Sequence, residues 1–299
     1  MKVLVSGPSG LVGGALIEYL TASRTDILRL SRSPAPAGGP TVLWDPEQGF
    51  LPAEDLQGLD AVVHLAGESI AGRWTAQKKA AIRSSRVQGT ELLCQCLAGL
   101  KAPPNVLICA SATGFYGNRG DELCHEGSAR GEGFLADVTA DWEAATAAAV
   151  AVGIRVVHLR IGAVLSPRGG ALATMMLPFG LGLGGRVSSG AQYMSWVTLD
   201  DLVRMIDHLI VHDDMSGPVN AVAPGAVTNR EFTKSLGRAL RRPTLLPLPA
   251  FAVRLVLGEM GEALLLSGAR VEPQALRNGG YEFVHPTLDE ALLELVRGA

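Results

Sequence analysis

The chain has 299 residues, 47% hydrophobic and 18% charged, enough for one large domain or a main domain with an appendage. Its 26 Lys and Arg against 29 Asp and Glu leave a net charge of −3 with no basic run, which argues against a nucleic-acid partner. The N-terminus reads as a strand with one lysine and no uninterrupted apolar segment approaches bilayer length, so the expectation is a cytoplasmic protein without a membrane partner.

The first element is Val3-Leu4-Val5, which runs into Gly7-Pro-Ser9-Gly10-Leu11-Val12-Gly13 and then into a helix with Leu11, Ala15, Leu16, Tyr19 and Leu20 on one face. With 36 glycines in the chain a glycine triplet arises readily by chance, so the strand before it and the helix after it carry the assignment. Gly7 allows a tight turn, Gly10 lets backbone amides approach a diphosphate, and Gly13 lets the helix lie close to the strand. The diphosphate would rest on the helix N-terminus, with Ser9, Leu11 and Val12 lining the same turn. The plain alternative is a structural glycine turn.

The second strand, Ile27 to Leu30, ends in Ser31-Arg32-Ser33, with no acidic residue where an adenosine ribose would lie; Asp26 stands before the strand, at its wrong end. A hydroxyl and a guanidinium match a 2′-phosphate, so NADP(H) is expected over NAD(H). Read blandly, Arg32 is a solvated turn residue.

Further strands are expected over Thr41–Trp44, Asp60–Gly67, Asn105–Ala112 and Arg155–Arg160. Helices are expected over Thr75–Leu100, with Gly89 as its bending point, and over Phe134–Val152. This alternation predicts an α/β fold, a Rossmann-type doubly wound parallel sheet with ligands at the C-terminal strand ends. The glycine- and methionine-rich segment 166–190 breaks the rhythm and reads as a lid, or else as a helix and loop packed on the sheet. A last strand over Pro218–Ala223 and a helix over Thr228–Leu240, capped by Thr228 or Asn229, follow. Three prolines between Pro243 and Pro249 mark a boundary. The expected division is therefore 1–242 for the main domain and 247–294 for a small helical domain with helices at Phe251–Leu257 and Glu262–Leu266.

Cys94, Cys96, Cys109 and Cys124 lack paired metal-ligand spacing and no metal site is expected. His64 alternates within an apolar strand and reads as a core histidine. Glu68 is either an acid/base group facing the pocket or a turn cap; Arg73-Trp74 either closes over a ligand or pairs at the helix entry. Asp200 and Asp201 read as carboxylates at a helix N-terminus.

Several motifs together resemble one family. They are Gly7 to Gly13, Ser31-Arg32-Ser33-Pro34, His64-Leu-Ala-Gly-Glu-Ser-Ile70, Ser85-Arg86, Ser111-Ala-Thr-Gly-Phe-Tyr-Gly117, Asp141-Trp-Glu143, Pro178 to Gly185 and Ser195 to Asp201, with Leu248 to Gly268 beyond. The chain resembles the atypical extended short-chain dehydrogenase/reductases, the epimerase-like branch with a C-terminal domain of unknown function. That resemblance implies NADP(H) held by the glycine loop, Ser31 and Arg32, Leu65, Ala66 and Gly67, Arg86, and Val164. A sugar-nucleotide substrate follows by family analogy only, and the oligomeric state is left open.

The family's tyrosine acid/base, with its lysine four residues on, has no counterpart. The chain has four tyrosines, Tyr19, Tyr116, Tyr193 and Tyr281, and the residues four beyond them are Ser23, Gly120, Val197 and His285. Alignment on Glu143 puts Leu135 and Thr139 at the expected places. Ser111, Thr113 and Tyr116 at the end of the fifth strand are the candidate catalytic hydroxyls; Tyr116 suits a packing or hydrogen-bonding role better than a catalytic one, since burial would raise its pKa further. Two functions follow: an NADP(H)-dependent oxidoreductase or epimerase of atypical mechanism acting on a small molecule, or a non-catalytic NADP(H)-binding sensor or interaction protein.

Overall fold

A computed structural model describes residues 1–34 and 39–298. Seven parallel strands form the central sheet: β1 (Lys2–Ser6), β2 (Asp26–Ser31), β3 (Thr41–Leu43), β4 (Ala61–His64), β5 (Val106–Ala112), β6 (Arg155–Ile161) and β7 (Gly217–Ala221). Their spatial order is β3-β2-β1-β4-β5-β6-β7, so the order reverses beside β1, and the crevice there opens at the C-terminal strand ends. Val, Ile and Leu fill the strands because both faces are covered, as a parallel sheet requires.

On one face, α1 (Leu11–Ala22) and α6 (Leu199–Val211) bury Leu16, Leu20, Leu202 and Ile206 against Val3, Val5, Val63 and Ile108. On the other, α2 (Ala76–Ala98) and the helices after β5 cover Leu4, Val62 and Leu107 with Leu93, Leu97 and Trp142. Thr75 caps α2 by accepting a hydrogen bond from the Lys78 amide, and the helix runs unbroken through Gly89, where a Cβ would press on Trp44 at 3.3 Å.

The single helix expected over 134–152 is two: α3 (Phe134–Ala144) and α4 (Ala147–Ala151). Thr146 breaks them. Its hydroxyl donates to the Glu143 carbonyl at 2.8 Å and meets His158 Nε2 at 2.9 Å, competing with the helix for backbone partners. The segment expected as a lid contains α5 (Gly170–Gly180), whose Leu172 and Phe179 are buried with Trp196, Phe232 and Leu236. The helix α7 (Asn229–Leu240) begins with a capping box in which Thr228 and Glu231 satisfy each other's backbone amides.

Beyond the proline-rich linker come α8 (Ala250–Gly261), a π turn (Glu262–Leu266), α9 (Gln274–Asn278) and α10 (Leu288–Arg297). Leu276 and Tyr281 join the main core, and Leu288, Ala291 and Leu292 pack with Phe232 and Leu236 of α7. Asp201, expected only to face its own helix N-terminus, is fully buried. It accepts from the Tyr281 hydroxyl and the backbone amides of Val284 and His285, all at 2.9 Å, and thereby pins the C-terminal segment to α6.

Candidate functional site

The turn after β1 opens on a bare helix end. Gly10 caps α1 without a side-chain acceptor, and the first turn holds no acidic residue, so its amides stay open to an anion. Gly7 takes φ +68° and lies against the Leu65–Ala66 backbone, where a Cβ would come within 3.1 Å. At Gly13 a Cβ would lie 2.2 Å from the Gly7 carbonyl oxygen, so the close crossing of strand and helix exists only with glycine. Ser9 and Gly10 are exposed, Leu11 and Val12 half-buried. These residues form a cradle of the kind a diphosphate fills.

The other residues implicated in cofactor binding arrive at the same sheet edge. Ser31 ends β2 and Arg32 follows it, exposed. Asp26 proves to be the first residue of β2, at the opposite end of that strand. Leu65, Ala66 and Gly67 follow β4; the Leu65 and Ala66 amides both donate to Ser6 Oγ, at 2.9 and 3.1 Å. Val164, half-buried, lies beyond β6, where Gly169 and Gly170 face Leu11 closely enough that an added Cβ on either would meet its side chain at 3.5 Å.

Arg86 reaches back from α2, donating to the Glu68 carbonyl at 2.9 Å with its guanidinium over the Trp142 ring. Burial lowers its pKa to about 10. Lys78 donates to Glu68 Oε1 at 2.6 Å, and that hydrogen bond holds the Glu68 carboxyl below its ordinary range, with Arg32 and Arg86 adding attraction. Glu68 thus pairs its carboxylate with Lys78, and among the described residues that carboxylate makes no bond to the turn that follows it. Trp74 is buried, its indole donating to the Ile70 carbonyl at 2.8 Å and its ring edge-on to Phe134.

The three hydroxyls after β5 have different surroundings. Ser111 is buried and donates to Glu143 Oε1 at 2.7 Å. Glu143 is forked by Arg160, with Nε on Oε1 and Nη2 on Oε2, both at 2.8 Å. Tyr116 has no exposed surface; its hydroxyl donates to Asn220 Oδ1 at 2.7 Å and accepts from Arg160 Nη1 at 3.0 Å. Burial pushes the phenol pKa up, and Arg160 opposes part of that rise. Thr113 is half-buried, and its hydroxyl makes only a 3.5 Å approach to the Ile161 carbonyl, which leaves it available.

Across from this turn, Gly114 lies against Leu135 of α3, with room for no more than 3.2 Å between an added Cβ and the leucine Cβ. Thr139, buried one turn on, spends its hydroxyl on the Leu135 carbonyl.

Glu143, Arg160, Asn220 and Lys78 were missed as functional candidates from sequence. The one available signal was an arginine at an inward position of an apolar strand, because a buried guanidinium requires a carboxylate.

Residues 3–222 match the model of the NAD dependent epimerase/dehydratase family, and residues 248–295 match a domain of unknown function, DUF1731. The Mycobacterium tuberculosis epimerase family protein MT2273 is 46% identical over 291 residues, covering 97% of this chain and 96% of that protein. The human epimerase family protein SDR39U1 is 35% identical, covering 99% and 100%. A crystal structure of human SDR39U1 (isoform 2) with NADPH superposes with a TM-score of 0.91 at 33% identity over the whole of both chains. A nucleoside-diphosphate sugar epimerase from Corynebacterium glutamicum gives 0.81 at 35% identity, with this chain covering 58% of it. The chain belongs to the NAD dependent epimerase/dehydratase family.

Proposed function

We propose that this protein binds NADP(H) and is an oxidoreductase or epimerase acting on a small molecule without the tyrosine–lysine pair of its wider class. The observation that carries the reading is the glycine cradle at the uncapped start of α1, with Arg32 exposed beyond β2. NADPH in the human relative, at 33% identity over the full chain, supports the choice of cofactor.

Nicotinamide, when bound, supplies the hydride chemistry; proton handling falls to this chain. Leu135 and Thr139 offer no group for it. In this reading Ser111 takes that place: a substrate hydroxyl donating to Ser111 Oγ is linked through the 2.7 Å bond to the Glu143 carboxylate, a two-step path for a proton. Thr113 supplies a second hydroxyl to orient the substrate oxygen. Arg160 and Tyr116 position Glu143 from beneath, without touching substrate.

Titration of the protein with NADPH and, separately, NADH, followed by nicotinamide fluorescence, tests the cofactor. Selective tightening for NADPH supports the reading, and absence of binding to either overturns it. The second reading, a non-catalytic NADP(H)-binding protein, is favoured by the apolar Leu135 where an acid/base would stand. Turnover of any carbonyl or sugar substrate that Ser111→Ala abolishes, with NADPH affinity intact, decides for the enzyme.

A further inference from the structure

One face of the molecule is apolar, open and ringed by cations. Leu177 on α5, Leu181 just after it, Leu245 in the linker, and Phe251, Leu255 and Val256 on α8 are between 67% and 80% exposed. They belong to one surface. Arg242 Nε donates to the Gly180 carbonyl at 2.7 Å, and Leu248 exchanges backbone hydrogen bonds with Arg186 and Ser188 at 2.9 and 2.8 Å, so the end of α5, the linker and the start of α8 are joined. The other side of α8 is anchored by buried Val253 and Gly261, which holds Phe251 and Leu255 outward. A soluble monomer seldom leaves such a patch uncovered.

The rim is predominantly basic. Two adjoining open depressions of about 500 and 310 Å³ are lined by Arg186, Arg230, Lys234, Arg238, Arg241 and Arg242, with Leu245 in the second. Among the described residues only Arg238 of these six has a carboxylate in ion-pair range, Asp289 at 2.8 Å. Residues 177–190 and 241–257 contain no Asp or Glu while carrying Arg186, Arg241, Arg242 and Arg254, in a chain whose net charge is −3. Arg241 even holds a left-handed backbone, φ +55°, at the end of α7, where glycine is the favoured residue.

We propose that this face docks peripherally on an anionic lipid bilayer, Phe251 and Leu255 entering the boundary between headgroups and acyl chains while Arg186, Lys234 and Arg241 meet lipid phosphates. Among the described residues no helix is long and apolar enough to cross a membrane, so the contact is with one leaflet. A second copy of the chain fits less well. A two-fold pairing through the leucines buries them but leaves most of the cations without a carboxylate, because the acids beside the face, Asp289 and Glu262, are already paired with Arg238 and Arg254. An anionic interface covers the apolar side chains and neutralises the rim together.

The test is co-sedimentation of the full chain with vesicles of phosphatidylcholine alone and of phosphatidylcholine with phosphatidylglycerol, at low and high salt. The expected result is retention on the anionic vesicles, weakened by salt. Phe251→Ser with Leu255→Ser, both exposed positions, should lower retention at least tenfold. Lys234→Gln and Arg241→Gly should each lower it about fivefold. Arg241→Gly also relieves the positive φ, so its melting temperature should not fall, which separates lost docking from lost folding. Equal sedimentation with and without phosphatidylglycerol overturns the proposal. So does light scattering that shows a dimer split by Leu255→Asp, which would give the face to a second copy.

Discussion

Ser6 and His64 stand opposite each other in register on β1 and β4 and share a 2.7 Å hydrogen bond, the Ser6 hydroxyl against His64 Nδ1. Ser6 Oγ already accepts from the Leu65 and Ala66 amides, so its own proton goes to Nδ1, and His64 is the neutral tautomer that donates from Nε2 to Thr90 Oγ1 at 3.1 Å. The histidine thereby fixes the backbone after β4, against which Gly7 packs.

Full burial lowers the His64 pKa to about 4, against about 6.5 in the unfolded chain. Between those values the unfolded chain binds the proton and the folded one does not. Stability is therefore full above pH 6.5, falls as the pH drops towards 4, and levels off below. The whole loss is about 3 kcal/mol. Urea denaturation from pH 7 to pH 4.5 should show wild type losing stability more steeply than His64→Gln, whatever the variant's starting stability. Parallel curves would mean that His64 is not held neutral.

In the proposed reading Arg32 is the cation that discriminates a 2′-phosphate. Arg32→Ala should weaken NADPH by about 1.5 to 3 kcal/mol, tenfold or more in Kd, and leave NADH nearly unchanged. The residue is exposed and the substitution should not disturb folding. Equal losses for both cofactors, measured by fluorescence titration, would take the phosphate role from it.

The sheet was legible because buried parallel strands are written locally, as runs such as Val3-Leu4-Val5 and Val106-Leu-Ile108, and the turn chemistry after β1 is local too. Thr228 and Glu231, three residues apart, were equally readable as a helix start. What the sequence hid was long-range. The break between α3 and α4 rests on Thr146 meeting His158, inside an alanine-rich stretch that carries no stop signal. The orientation of Ser111 and Tyr116 depends on Glu143 and Arg160, which lie 32 and 44 residues further along. Asp201 found these partners 80 to 84 residues away.

Tyr116 sits on the joint between Arg160 and Asn220, giving a proton to one and taking one from the other. Tyr116→Phe keeps the ring and removes both bonds, leaving the Asn220 amide oxygen unpaired. The expected cost is about 1 to 3 kcal/mol in chemical denaturation, with NADPH affinity unchanged, since the phenol is buried away from the glycine cradle. A variant with wild-type stability and no turnover would instead make Tyr116 a group that touches substrate.

Gly13 and Gly14 are adjacent in the first turn of α1 and should answer the same substitution in opposite directions. A Cβ on Gly13 would lie 2.2 Å from the Gly7 carbonyl oxygen and 3.0 Å from its carbon, both rigid backbone, so α1 must move off the β1 turn that shapes the cradle. Gly13→Ala should therefore destabilise the fold and abolish NADPH binding. At Gly14 the nearest atom to an added Cβ is the Pro8 carbonyl oxygen at 3.7 Å, an ordinary contact, and the residue is helical. Gly14→Ala removes backbone freedom from the unfolded chain and should raise stability by about 0.4 to 1 kcal/mol with NADPH affinity retained. Thermal melts with and without NADPH read both effects at once: Gly13→Ala should melt early and show no cofactor-induced shift, while Gly14→Ala should melt late and keep it. If the two variants behave alike, the close crossing of β1 and α1 does not build the site.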